Sequence, residues 1–206
     1  MTDKAAPSKG LDRLAATLAG SGPTASRGAS ASGGEPASSA RRQPIDCGSF
    51  DITIARDGTW YYRGSPIGRM PLVRLFSTVL RRDEDGTYWL VTPAERGRII
   101  VEDAPFVAVE LTVRGTGREQ QLIFRTNVDD TVAADAEHPL RVVNDPATEE
   151  PNPYILVRNG LEARLSRPVF YELVELGSEE RVGDATLFGV WSKGKFFPLG
   201  RLDGAA

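Results

Sequence analysis

Two turn signatures constrain this chain more than any other feature. Asp57-Gly58 lies between Ile52/Ile54 and Trp60/Tyr62, and Asn159-Gly160 lies between Ile155/Val157 and Leu161/Ala163/Leu165. Asp-Gly or Asn-Gly between β-rich runs marks a hairpin, because glycine adopts a left-handed backbone at no steric cost. The apolar spacing then chooses the register. A two-residue loop pairs Ile54 with Tyr61 and sends Trp60 to the opposite face. A three-residue loop, Arg56-Asp57-Gly58, pairs Ile54 with Trp60 and Ile52 with Tyr62, placing all four apolar groups on one side. The same argument selects a three-residue loop, Arg158-Asn159-Gly160, in the second hairpin.

The segments after the two hairpins also match. Arg69-Met70-Pro71 opens a helical stripe of Leu72, Val73, Leu75, Phe76, Val79 and Leu80. Ser166-Arg167-Pro168 opens one of Val169, Phe170, Leu173, Val174 and Leu176. Proline in the first turn, where its missing donor is not needed, marks a helix start in both. Strands are expected after each helix, at 88–92 and 99–101 in one half and at 186–191 and 196–199 in the other. Between the halves, the alternation Val107, Val109, Leu111, Val113 and the run 119–124 read as a further hairpin across Gly115-Thr116-Gly117. The expected fold class is α+β, two structurally repeated hairpin/helix/strand units on antiparallel sheets.

The repeats are preceded by a segment of another kind. Residues 1–49 contain no Phe, Trp or Tyr, and 17 of the 20 residues from Ser21 to Ala40 are Ala, Gly, Ser or Pro. Such a segment cannot bury enough apolar surface to offset the entropy of ordering it. Residues 1–42 are therefore expected to form a disordered tail. Leu11, Leu14 and Leu18 share one helical stripe, so a short helix at 9–19 is expected there, able to dock on a partner protein. The folded part is expected to divide into a first repeat domain at 43–97 and a second at 98–206.

Several functions are disfavoured. The formal net charge of −3 gives no overall basic field, which argues against nucleic acid as the main partner. No apolar run is long enough to span a membrane. The single cysteine, Cys47, excludes an internal disulfide and points to a reducing, cytoplasmic setting. One histidine and one cysteine cannot make a structural zinc site, and no phosphate-loop or other cofactor motif is present. Gly64-Ser65-Pro66-Ile67-Gly68 has the wrong spacing for a nucleophile elbow, and Pro66 removes the donor an oxyanion hole would use. It reads as a turn.

The remaining chemistry lies in arginines and a few polar residues. Arg69 and Arg74 sit at the start of and on the first helix, where the macrodipole gives a cation no reason to be. A guanidinium beside helix N–H groups suits a phosphate or carboxylate, and Arg164 and Arg167 repeat the arrangement in the second half. Salt bridges to local acids explain them equally well. Arg81 and Arg82, at the expected end of the first helix, favour its dipole. His138 is the one imidazole, readable as a general base or as a structural hydrogen-bonding residue. Glu102 and Asp103, before Pro105, read as a base or as turn chemistry.

A set of separate blocks then becomes recognisable: Cys47-Gly48, Ile54 to Trp60, Gly64 to Arg69, Leu72 to Phe76, Tyr88 to Pro93, Val101 to Phe106, Thr126-Asn127 and His138 to Val142. In this order they resemble the bacterial DUF1285 family, a domain of unknown function. The resemblance implies a cytoplasmic protein with internally repeated motifs and a C-terminal part similar to a pleckstrin-homology-like barrel. It also implies a nucleotide-like ligand between the domains and a role in signal transduction. Ser49 stands where the family favours an acidic residue.

Together these readings lead to a non-enzymatic protein binding a nucleotide-like or other anionic small molecule. The expected ligand-binding residues are Arg69, Arg74, Asp103, Asn127, His138, Arg141 and Arg167, with Asn127 and Arg141 entering from the blocks that carry the resemblance. Two other readings stay open: an enzyme using His138 with Asp103 or Glu102, and an adaptor using a sheet edge and the N-terminal helix.

Overall fold

The computed structural model describes residues 44–202, together with Ala15 and Ala16, both helical. The tail expected at 1–42, with the rest of the helix expected at 9–19, lies outside the described residues.

The first hairpin joins β1 (Ile45–Ile54) to β2 (Trp60–Tyr62), with Ile52 opposite Tyr62 and Ile54 opposite Trp60. The Ala55 N–H bonds to the Thr59 carbonyl at 2.9 Å, which closes a three-residue loop with Gly58 at φ +84°. This is the register the apolar spacing selects. The second hairpin joins β11 (Pro151–Arg158) to β12 (Leu161–Leu165). Ile155 faces Ala163 as expected, but the loop is not the expected one. Arg158 pairs with Leu161 across a two-residue turn, and a bulge between Leu156 and Arg158 absorbs the extra residue. Asn159 at φ +44° and Gly160 at φ +75° both take the left-handed backbone that a type I′ turn requires. The apolar face fixed the register, and the bulge reconciled it with the tighter turn.

After β3 (Ser65–Pro66) comes α1 (Met70–Thr78), with Pro71 in its first turn; after β12 comes α2 (Arg167–Glu175), with Pro168 in the same place. Helix α1 stops short of the expected Leu80. The Ser77 and Thr78 hydroxyls donate to the Arg74 and Leu75 carbonyls, each at 2.7 Å, an alternative bonding that loosens a helix end. The chain then turns into β4 (Leu80–Arg82). Arg81 thus lies on a strand, although its Nη1 still reaches the helix-end Thr78 carbonyl at 3.1 Å.

Each repeat ends in a three-stranded antiparallel meander: β4, β5 (Tyr88–Val91) and β6 (Glu95–Val101) in the first, β13 (Ser178–Val182), β14 (Ala185–Ser192) and β15 (Lys195–Arg201) in the second. Strands β4 and β13, too short or too polar to announce themselves, complete the repeat as hairpin, proline-led helix, meander. Between them run β7 (Phe106–Arg114), β8 (Gln121–Thr126), β9 (Thr131–Ala133) and β10 (Leu140–Asn144). The described chain is mostly β, with strand orders β3-β2-β1-β6-β5-β4, β10-β11-β12-β7-β8-β9 and β13-β14-β15.

Two compact units result. One takes Arg69–Ile99 and the described residues 44–51, and buries Leu72, Val73, Phe76, Leu80, Leu90 and Ile99. The other takes Ile52–Gly68 and the described residues from Ile100 on, and buries Ile54, Trp60, Phe106, Phe124, Ile155, Leu161, Leu173 and Phe197 among others. Among the described residues no helix is long and apolar enough to cross a membrane.

Candidate functional site

The second unit carries a polar row across three strands. Arg141 of β10 faces Tyr154 of β11, and Tyr154 faces Arg164 of β12. Residues paired across a sheet share a face, so the three side chains line up, while the neighbouring Leu140, Ile155 and Ala163 fall on the opposite, buried face. Asn152 and Glu162, two residues from Tyr154 and Arg164 along their strands, join the polar face.

One half of this cluster is tightly bonded. Glu162 accepts from Arg141 Nε at 2.6 Å and from Nη2 at 2.7 Å, the two-pronged geometry that charge-assisted pairs favour. The Arg141 guanidinium lies 4.5 Å from the Tyr154 ring centroid. The Tyr154 hydroxyl donates to Asp103 Oδ1 at 2.7 Å. Burial first, and this bond to Asp103 next, push the Tyr154 hydroxyl up to about 12, so it stays protonated.

The other half is loose. Asp103, in the turn between β6 and β7, sets Oδ2 3.4 Å from Arg56 Nε and 3.6 Å from Arg164 Nε. Both Asp103 Oδ2 and Arg164 Nε are buried without a hydrogen bond. Arg56, on the first hairpin's loop, reaches Asn152 Oδ1 through Nη2 at 3.3 Å, and its backbone N–H donates to Glu102 at 3.0 Å. The Arg56 side chain is 53% exposed, against 15% for Asp103 and 25% for Arg164, so the most exposed of the three lies against the buried Asp103 oxygen. Buried polar atoms without a hydrogen bond are costly, which sets this spot apart from the saturated pairs around it. With Tyr154 held protonated, the arrangement is suited to holding a polar group.

The residues expected from sequence fall in several places. Asp103 and Arg141 belong to this cluster, joined through Tyr154. Asn127 is a clamp: its Oδ1 accepts the Val107 N–H at 3.0 Å and its Nδ2 donates to the Gly58 carbonyl at 3.1 Å, tying the first hairpin's turn to β7. His138 bonds Asp135 through Nδ1 at 3.1 Å. Asp135 also accepts the N–H groups of Glu137 and His138 and, at 2.8 Å, Lys193 Nζ. Although partial burial opposes it, the bonds from Lys193 and then His138 hold the Asp135 carboxyl well below the usual range. The imidazole is therefore part of a turn joined to Asp135 and Lys193, and not part of the Asp103 cluster. Arg167 is 77% exposed and 3.7 Å from Glu150.

Arg69 and Arg74 lie in the first unit, both exposed. Arg69 is the residue before α1, but the helix start is poorer in donors than its sequence position suggests. Pro71 has none, and the Leu72 and Val73 N–H groups both bond the Arg69 carbonyl, at 2.9 and 3.2 Å. Sequence reasoning missed Tyr154, Asn152 and Glu162 as members of the site, and it saw Arg56 only as a loop residue. Tyr154 could have been found, because the register that sets Ile155 opposite Ala163 also sets Tyr154 opposite Arg164.

Fold and cluster together define a β-rich protein of repeated hairpin–helix–meander units with an arginine–carboxylate–tyrosine cluster on one sheet face. Residues 40–104 match the N-terminal domain of the DUF1285 family of unknown function, and residues 105–199 match its C-terminal domain. The chain belongs to that family. A DUF1285 family protein from Silicibacter pomeroyi DSS-3 is similar in structure, with a TM-score of 0.72 and 50% identity over 78% of this chain and 85% of the other. A second, from Shewanella baltica OS155, has a TM-score of 0.49 and 25% identity over 61% of this chain and 91% of the other. The curated proteins hold no match.

Proposed function

We propose that the protein is a non-enzymatic binding protein for a small anionic molecule, held by Arg56 and Arg164 beside Asp103. The observation that carries this reading is the loose half of the cluster. Two arginines approach one carboxylate at 3.4 and 3.6 Å, and the buried Arg164 Nε–H makes no hydrogen bond. Charge-assisted pairs ordinarily close to about 2.7–2.9 Å, and Arg141 and Glu162 here close to 2.6 and 2.7 Å. An acidic group entering under Arg56 would accept the missing hydrogen bond and gain a second guanidinium.

Within this reading the ligand is a nucleotide-like or other anionic small molecule, the former being what the family resemblance implies, and the protein acts in the cytoplasm in signal transduction. The C-terminal part is similar to a pleckstrin-homology-like barrel, which the six-stranded sheet and the separate three-stranded meander would supply as two layers. Arg69 and Arg74 belong to the first unit and Arg167 stands beside Glu150, so this reading gives none of the three a contact with the ligand.

The test is a thermal-shift and calorimetric series with nucleoside mono-, di- and triphosphates and inorganic phosphate, on the wild type and on Arg164→Ala. Binding that weakens by about ten-fold or more in the variant is the expected result. Failure of every anion to bind, or affinity unchanged in Arg164→Ala, would overturn the assignment.

A further inference from the structure

The unsatisfied atoms beside Arg164 say more about the ligand than its charge. Asp103 Oδ2 and Arg164 Nε–H are both buried and face each other as an ion pair at 3.6 Å, too far for a hydrogen bond, and Arg56 Nε comes no nearer to that oxygen than 3.4 Å. Tyr154 already fills Oδ1 at 2.7 Å, so Asp103 has its second oxygen to offer. A bare anion would satisfy Arg164 but bring like charge against Asp103 in a half-buried setting, where such repulsion is poorly screened. A neutral donor would satisfy Asp103 and leave Arg164 as it was. Only a ligand that carries both functions on neighbouring atoms satisfies the pair.

From this geometry we infer that the ligand is a small acid with an O–H or N–H donor on the carbon next to its acidic group. Its acidic oxygen takes Arg164 Nε–H and Arg56, and its donor takes Asp103 Oδ2. This rests on the binding reading given above and narrows it, away from nucleotides, to anions with a hydroxy- or amino-acid edge. Arg56 is the part that yields. Its ion pair with Asp103 and its hydrogen bond to Asn152 are long, and its side chain is the most exposed of those around Asp103, so it can swing out and close again over the bound acid. Arg141 stays in place, because both of its prongs are held by Glu162. Asp103 is thereby a specificity residue, choosing among acids by what stands next to the acid group.

Three probes of nearly equal size separate the effects: acetate, which has no donor, glycolate, which adds a hydroxyl, and glycine, which adds an ammonium. Each is titrated into the full chain while the side-chain Nε–H signals of Arg56 and Arg164 are followed by NMR. Glycolate or glycine is expected to bind about ten-fold or more tightly than acetate, the worth of one charge-assisted hydrogen bond. Asp103→Asn can keep the Tyr154 bond and turn an amide donor towards Arg164, so it is expected to reverse the order and favour acetate. Equal affinity for the three acids in the wild type, with the Arg164 signal moving in each titration, would overturn this inference and leave the anion reading standing. No movement of the Arg164 signal with any acid or with inorganic phosphate would overturn both. The wild-type ratio decides the matter even where the Asp103→Asn chain fails to fold.

Discussion

At the scale of single residues, the two hairpin glycines look alike in sequence and are not alike in space. Gly58 and Gly160 both need a left-handed backbone, at φ +84° and +75°. A methyl group on Gly58 would sit 2.6 Å from Asn127 Nδ2 and 2.9 Å from Val107 Cγ2, whereas one on Gly160 meets nothing within 4 Å. Asn127 is fixed at both ends of its amide and cannot step aside without losing a bond. Gly160→Ala is therefore expected to cost about 1–2 kcal/mol, the left-handed strain alone. Gly58→Ala should cost about 2–5 kcal/mol, because strain is joined by the lost amide bonds. Urea denaturation of the two variants measures both, and equal losses would mean that the clamp contributes nothing. Tyr154→Phe tests the tight half of the site. It leaves Asp103 Oδ1 without its donor and should lower stability by about 1–3 kcal/mol. The sign of the pH effect comes from the raised hydroxyl. Folded and unfolded tyrosine bind the proton equally below the ordinary value of about 10. Above that value only the folded form keeps it, so this contribution to stability falls across the window from there up to about 12. The variant should lose that part of the alkaline slope.

Elements were more legible than their ends. Both helix starts were visible because Pro71 and Pro168 write them into the sequence, and the Ile54–Trp60 pairing was visible because one loop length alone gathers the apolar groups. The end of α1 was hidden, since Val79 and Leu80 extend the helical stripe while Ser77 and Thr78 undo it by bonding back to the chain. The first half of strand β11 was hidden in another way. Asn152, Pro153, Tyr154 and Ile155 are all buried, so its two covered faces show no alternation to read. Glycines inside strands carry a further distinction that only packing reveals. A Cβ on Gly97 would lie 2.7 Å from ring atoms of Phe50, a side chain that can shift; one on Gly189 would lie 2.3 Å from the Phe197 carbonyl oxygen and 2.9 Å from the Pro198 Cα. Gly97→Ala is thus expected to cost about 1–3 kcal/mol as an overpacking change, and Gly189→Ala more, because β14 and β15 must separate to admit it. Denaturant midpoints of the two variants check the order, and a Gly189→Ala chain as stable as Gly97→Ala would contradict it.

At the scale of the whole molecule, the chain order of the repeats does not reveal where the first hairpin belongs. Turn chemistry is local, and nothing local in Asn127 announces that it will grip a glycine far earlier in the chain. Yet residues 52–68 form one compact unit with residues from 100 onward, and the bonds on either side of the hairpin's loop explain why. Gly58 is held by Asn127 at 3.1 Å, the Arg56 N–H by Glu102 at 3.0 Å, and the Ile54 carbonyl by the Glu102 N–H at 3.0 Å. Ile52, Ile54 and Trp60, at 1%, 0% and 1% exposure, are as buried as any residue of β7 or β12. Three such side chains bury on the order of 5–8 kcal/mol of apolar surface energy, comparable with the net stability of a domain. The two family domains meet at residues 104 and 105, but a chain cut near there would lose this hairpin from the unit that holds it. A chain of residues 98–206 is therefore expected to lack a cooperative thermal transition and to bind a hydrophobic dye. A peptide of residues 50–68 added in trans should restore the transition in proportion to its concentration, because it returns both the apolar groups and the Asn127 contact. The same peptide carrying Gly58→Val should restore less. If residues 98–206 alone melt cooperatively within a few degrees of the full chain, the hairpin is an ornament of that unit and not one of its supports.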